Sequence, residues 1–399
     1  MRNLILIACL LIISLYSTAQ KTTLSPSAKI SVITLGPDPN ELYAAFGHSA
    51  VRVYDSLKGI DYAFNYGVFD FNQPNFYLNF AKGFLYYKLG VSYYQDFKGA
   101  YIYYNRFIHE QTLNLTQAQK QKLFDFLVWN AQPENQTYRY DYYHNNCATK
   151  IRDVLTEQLG ADLKWDSAFL KPRQSFRQKT NEYLDPLPWG DLGIDICLGL
   201  PIDRKMSAYE YMFLPDYIEQ FVDHATVKND SVFVPLSGNV KVVFNPQPVE
   251  TTTSFVHPWI AFGGLLFIVA AISWRDWKRK KLSRWLDVIV FGMCGLIGIL
   301  LLLLWAFTDH HDAAKNFNLL WAFPLHLFGA IALVSKYLNR YVVRYFTFVD
   351  IVSGVPLLLW MSLPQELNPF LWPIWFILVL RSFVISRVFK SQFINPTNV

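Results

Sequence analysis

Two residues of this chain could together form a nucleophile and its base: Cys147 and His48. Cys147 stands in Tyr143-His144-Asn145-Asn146-Cys147-Ala148-Thr149-Lys150, where an extended, tyrosine-rich stretch gives way to a helical pattern. Ala148, Ile151, Val154, Leu155 and Leu159 recur on one face, and Gly160 can stop the helix. The thiol is thus expected to open a helix. Unsatisfied N–H groups and the positive end of the macrodipole favour thiolate there, and thiolate is the reactive form. His48 lies in Phe46-Gly47-His48-Ser49-Ala50-Val51-Arg52-Val53-Tyr54, which reads as a strand. A turn-like Asp55-Ser56-Leu57-Lys58-Gly59 and a second strand-like run through Gly67 complete a hairpin. That hairpin would bring Asn65 roughly opposite His48, where an amide could hold the imidazole, although a one-residue slip would turn it away. Asp61 and His144 are alternative orienting groups.

The elements around these residues read as α+β. Leu115-Thr116-Gln117-Ala118-Gln119 has the pattern of a capping box, with a helix to about residue 130. Prolines punctuate the chain beyond Gly160, and short helices are expected around Ser207–Met212 and Asp216–Phe221. Val232–Val234 and Val240–Phe244 would form a last hairpin around Ser237-Gly238, before the linker Thr251-Thr252-Thr253-Ser254. Between Tyr54 and Tyr104 there are eleven tyrosines and seven phenylalanines, enough for an aromatic core or for a surface facing the bilayer.

The second half of the 399 residues is membrane in character. Five hydrophobic segments are expected, at about Phe255–Ser273, Leu286–Phe307, Leu319–Val334, Tyr345–Leu363 and Phe370–Ser386. Basic residues crowd the first loop (Arg275, Lys278, Arg279, Lys280, Lys281, Arg284), the third (Lys336, Arg340, Arg344) and the tail (Arg387, Lys390), which places these in the cytoplasm. The stretch from Gln20 to Ser254 is then outside. Arg2, the apolar run Leu4 to Leu15 and the small residues before Gln20 independently read as an export signal. The divisions expected are therefore a signal over 1–20, an extracytoplasmic domain over 21–250 and a membrane domain over 251–399. Much of the net charge of +5 is spent on cytoplasmic loops and does not point to a nucleic-acid partner.

Of the four cysteines, Cys9 falls in the signal and Cys294 in a membrane segment, leaving Cys147 and Cys197 in the exported domain. They could pair as a disulfide in an oxidising compartment, or Cys147 could be a reactive thiol and Cys197 inert. Asp309-His310-His311-Asp312 lies at the outer end of the second membrane segment. Adjacent histidines on one helix diverge, so no metal site is expected there. His310, with Asn316 and Asn318, could instead position a lipid headgroup or an acceptor amine. His326 and Arg381 fall in apolar segments, where ionisable groups are costly and often functional, with snorkelling open to Arg381. Gly292, Gly295 and Gly298 have the spacing of a helix-packing stripe.

Phe46-Gly47-His48-Ser49-Ala50-Val51-Arg52-Val53, Asn65-Tyr66-Gly67-Val68-Phe69-Asp70-Phe71, Asn145-Asn146-Cys147 and Met212-Phe213-Leu214-Pro215-Asp216-Tyr217, taken together, resemble the Lnb family. That resemblance covers nearly the whole chain. It implies a papain-like α+β exported domain, similar to permuted NlpC/P60 and lecithin:retinol acyltransferase-like cysteine enzymes, followed by an all-α bundle of five transmembrane helices. It implies Cys147 as nucleophile and His48 as general base, with Asn65 as the orienting residue suggested by the hairpin. The activity implied is that of a bacterial lipoprotein N-acyltransferase in the inner membrane, with a phospholipid acyl donor, a lipoprotein N-terminus as acceptor and no cofactor. Two other readings are weighed against it: a cysteine hydrolase of NlpC/P60 type acting on cell-wall peptides, and a non-catalytic membrane scaffold with a Cys147–Cys197 disulfide.

Overall fold

The structure, a computed structural model, describes residues 22–38, 40–69, 72–170, 173–248, 256–334 and 340–394. The expected export signal, Asp70 and Phe71, the linker Thr251–Ser254 and Lys336 lie outside the described residues.

The N-terminal part is built on one antiparallel sheet whose strands come from distant parts of the chain. These are β1 (Lys29–Leu35), β2 (His48–Asp55), β3 (Ile60–Val68), β4 (Tyr86–Tyr93), β5 (Ile108–Thr112) and β6 (Thr137–Arg139). The short β7 (Leu163–Lys164), β8 (Thr226–Asn229) and β9 (Val232–Pro235) form a second sheet, and β10 (Lys241–Phe244) returns to the edge of the first. The order in the large sheet is β10-β5-β1-β2-β3-β4-β6. The expected hairpin of Val232–Val234 with Val240–Phe244 therefore does not form: the first run pairs with β8 and the second with β5.

Period-two alternation splits the strands between two cores. Val32, Val51, Val53 and Phe64 face one side, and Ile33, Leu35, Ala50 and Ala63 the other. In chain order the helices are α1 (Phe76–Lys82), α2 (Tyr94–Tyr103), α3 (Gln117–Asn130), α4 (Cys147–Leu159), α5 (Phe176–Leu184), α6 (Pro188–Cys197) and α7 (Pro215–His224). α3, α4 and α7 cover the first face through Leu123, Leu127, Ile151, Leu155 and Ile218, while Tyr94 and Phe97 of α2 cover the second. Thr116 and Gln119 cap α3 reciprocally, as their spacing requires. α1 buries none of its residues; Tyr77, Leu78 and Phe80 are exposed there, with Phe84 and Tyr86 just beyond. The aromatic run thus supplies an exposed apolar surface as well as core.

The C-terminal part is helical: α8 (Pro258–Arg279), α9 (Arg284–Phe307), α10 (His326–Val334), α11 (Arg340–Leu358) and α12 (Trp372–Ile394). Among the described residues three stretches are long and apolar enough to cross a membrane, Pro258–Arg279, Arg284–Phe307 and Pro369–Val388. The third expected segment, Leu319–Val334, is interrupted. A short 3-10 turn over Phe317–Leu320 gives way to an irregular bend before α10 starts at His326. Pro324 sits in that bend, which presses its backbone onto α9. A Cβ on Gly298 would come 1.9 Å from the Ala322 carbonyl oxygen, and one on Gly295 2.3 Å from the Leu327 nitrogen. These glycines serve close backbone packing. Arg381 does not snorkel: fully buried, it bonds Asp287 at 2.6 and 2.9 Å, Asp276 at 3.1 Å and Ser273 at 3.0 Å, joining α8, α9 and α12.

Candidate active site

Cys147 is the first residue of α4, and Asn146 before it is the N-cap. The Asn146 Oδ1 accepts from the Thr149 N–H at 2.9 Å, and the Thr149 hydroxyl oxygen accepts from the Asn146 N–H at 2.7 Å. The other end of the same buried amide donates to the carbonyls of Tyr142 and Phe213, both at 2.8 Å. Asn146 thereby ties the helix start to the Met212–Tyr217 segment. Pro215 of that segment also lies within 3.7 Å of where a Gly47 side chain would begin, beside His48. Motifs far apart in the chain thus brace one place.

His48 opens β2, paired with Leu35 of β1. The β2–β3 register runs from Asp55 opposite Ile60 to Val51 opposite Phe64. Continued, it sets Gly67 across from His48 and Asn65 diagonally across on the same face. The His48 Nε2–H donates to the Asn65 Oδ1 at 2.5 Å, which leaves Nδ1 for the Cys147 thiol, itself hydrogen-bonded to the imidazole. Gly67 has φ +94°, and a Cβ there would lie 3.6 Å from both the Cys147 Cβ and the His48 Cε1. Tyr101 of α2 stacks on the imidazole with ring centroids 6.3 Å apart.

The alternative orienting groups are engaged elsewhere. Asp61 binds Arg52 in bidentate fashion at 2.7 and 3.0 Å. His144 is exposed and packs edge-on to Phe176.

Burial alone would push the Cys147 thiol up. The charge of His48, its hydrogen bond and the backbone N–H groups of Ser49 and Ala148 outweigh burial and bring the thiol below its ordinary value. Burial likewise works against imidazolium, but the thiolate beside it and the Asn65 bond hold His48 above its ordinary value. Each group contributes to the displacement of the other, and both displacements favour a thiolate beside an imidazolium. Cys197 is the contrast, for burial simply raises it. Both cysteines are free thiols.

Sequence reasoning overlooked Tyr138. Its buried Oη lies 4.0 Å from where a Gly67 Cβ would be and makes no hydrogen bond of normal geometry. Burial and then the Cys147 charge push this phenol well above its ordinary value, so it keeps its proton beside Cys147. The Lys150 ammonium lies 4.6 Å over its ring. Spacing carried no signal for it among so many tyrosines.

His310, Asn316 and Asn318 lie at the seam between the two parts of the chain. The His310 Nε2 bonds the Phe80 carbonyl at 3.0 Å, and the Asp309 N–H bonds the Lys82 carbonyl at 2.9 Å, with Asp309 also paired to Arg139. Asn316 and Asn318 are buried and donate to the carbonyls of Ile196 and Asp195 at 2.8 and 3.0 Å. Asn368 adds bonds to Asp191 and Asp195 at 2.7 and 2.9 Å, and the Gly199 N–H bonds the Asp312 carbonyl at 2.7 Å. A Cβ on Gly199 would overlap the Ala314 carbonyl oxygen at 2.0 Å, so this junction takes only glycine. The side chain of Asp312 leaves its own run to meet Asp141 and His144, their potential ligand atoms within 4.8 Å of one another.

A helix-opening thiol, an imidazole held by an amide and a buried phenol are gathered beside Gly67, in a domain hydrogen-bonded to the helical part of the chain. Residues 17–181 match the family model described as the Lnb N-terminal periplasmic domain, and residues 250–392 match the one described as the Lnb transmembrane domain. Searches of curated proteins and of solved structures found no match. The chain belongs to the Lnb family, as a membrane protein whose sheet-based periplasmic domain precedes a helical transmembrane domain.

Proposed function

We propose that this protein is a thiol acyltransferase of the inner membrane that moves a fatty acyl chain from a phospholipid to the α-amine of a bacterial lipoprotein. The observation that carries this reading is the Cys147–His48–Asn65 constellation on a domain hydrogen-bonded to a membrane domain. In the reading, residues 21–250 are the catalytic unit and 251–399 the membrane unit.

His48 Nδ1 holds the thiol proton, and the Cys147 sulfur attacks the carbonyl carbon of a phospholipid ester. The oxyanion that forms takes a hydrogen bond from the Tyr138 hydroxyl, which has no other partner of normal geometry. As the carbon–oxygen bond breaks, the imidazolium returns its proton to the departing oxygen, and a lysophospholipid leaves. An amine then attacks the thioester, His48 takes the amine proton, and the carbon–sulfur bond breaks to give amide and free thiol. Atoms and electrons balance without another reactant.

The hydrolase reading gives no use to the seam, and the scaffold reading required a disulfide where the structure has two free thiols. Mass spectrometry of lipoprotein N-termini tests the proposal in cells: a third acyl chain should be present with the protein and absent in its deletion or with Cys147→Ala. Unchanged N-termini would refute it.

A further inference from the structure

We infer that the membrane domain holds the acyl donor, an outer-leaflet glycerophospholipid, in an apolar groove between α9, the bend before α10, and α11, with the lipid phosphate at Lys315. This deepens the acyl-transfer reading and rests on it. The groove has a volume of about 700 Å³, and Leu302 and Trp305 of α9, Phe323 of the bend, and Phe348 and Val352 of α11 make its walls. That volume is within the roughly 300–1,000 Å³ of ordinary small-molecule sites.

Two polar features mark the groove as more than a packing fault. Lys315 on its border is exposed, has no ion pair among the described residues, and takes a left-handed backbone, φ +52°, unusual for a residue with a side chain. It follows the outer end of α9, the level at which lipid phosphates lie. His326, only 1% exposed, also lines the groove. Its Nδ1 bonds the Tyr345 hydroxyl at 2.8 Å, the ring lies near the backbone of Trp321, and Nε2 makes no hydrogen bond of normal geometry. A lipid ester carbonyl is a natural acceptor for a proton held there.

Charge chooses between the two lipids the reaction needs. The acceptor presents an ammonium beside its acyl chains, which Lys315 repels; the donor presents a phosphate, which it attracts. The groove also opens on the seam that joins the membrane domain to the catalytic domain. Leu200 lines it and follows Gly199, which bonds Asp312, and Asp312 meets His144 three residues before Cys147.

The test uses full-length Cys147→Ala protein in nanodiscs with phosphatidylglycerol carrying a diazirine in its acyl chain, so that labelling is read without chemistry. Labels should concentrate in residues 302–305 and 348–353. Lys315→Glu should cut that labelling about fivefold and leave labelling by a diazirine diacylglycerol, which lacks phosphate, unchanged. In the Cys147 background, Leu302→Trp and Val352→Trp should slow acylation of Cys147 from bilayer phospholipid and leave its reaction with iodoacetamide intact. Two variants on different helices guard against misfolding of either. Labels spread evenly over all lipid-facing helices, or displaced by a diacylated lipopeptide and not by phosphatidylglycerol, would overturn the inference. Groove labelling in a protein whose Cys147 never becomes acylated would instead leave the groove standing and sink the acyl-transfer reading.

Discussion

The Asn65 side-chain oxygen accepts the His48 Nε2 proton at 2.5 Å from a diagonal position across the β2–β3 pair. This bond fixes the tautomer, aims Nδ1 at Cys147 and helps hold His48 above its ordinary value. The lowering of Cys147 and the raising of His48 both favour the thiolate–imidazolium pair, which is lost on the alkaline side as the imidazolium gives up its proton. Asn65→Ala lowers the His48 value, so the alkaline limb of the pH–rate profile should move to lower pH. The rate at its maximum should fall on the order of 10²-fold, the cost of a misplaced base. An unmoved alkaline limb would remove Asn65 from the orienting role.

Gly67→Val should cost more activity than stability suggests. The left-handed backbone at φ +94° penalises a β-branched residue by roughly 1–3 kcal/mol, and the new side chain would fill the gap beside Cys147 and His48. Thermal melting should show a modest loss, and acyl transfer should all but vanish. Retained turnover would mean that substrate does not enter past Gly67.

Tyr138→Phe removes one hydroxyl and almost no volume. As the loss of an oxyanion donor, it should slow acyl transfer by about 10²–10³-fold. The alkylation of Cys147 by iodoacetamide, which forms no oxyanion, should keep its rate and pH dependence. A parallel loss in both would show that Tyr138 acts on the thiol.

Asn146→Ala deletes the N-cap of α4 and its ties to Tyr142 and Phe213. A lost cap costs about 0.5–2 kcal/mol, and the orphaned carbonyls add to it. The helix start then frays where its N–H groups favour the thiolate, so the alkylation profile should shift to higher pH together with the fall in stability. Stability lost with an unmoved profile would confine Asn146 to a structural part.

What could be read in the chain was local. The face repeat after Cys147, the Thr116–Gln119 reciprocal cap and the hairpin around Ser56–Lys58 depend on neighbours within a few residues, and the structure has all three. What could not be read depends on distant partners. Val240–Phe244 found β5 instead of the nearer strand, and the third apolar segment broke at its bend against α9. Asn316 and Asn318 were legible as polar groups at a membrane surface, but their partners are carbonyls of α6, more than a hundred residues earlier. Tyr138 was hidden by abundance, since only the place of its hydroxyl beside Gly67 separates it from the other tyrosines.

Acylation of Cys147 itself tests the central claim most directly. Full-length protein incubated with phospholipid alone, without acceptor, should gain one fatty acyl group on the peptide containing Cys147, released by hydroxylamine at neutral pH as thioesters are. Cys147→Ala should gain none, and His48→Ala should gain it slowly. Protein that stays unacylated under these conditions, or whose acyl group survives hydroxylamine, would contradict the account.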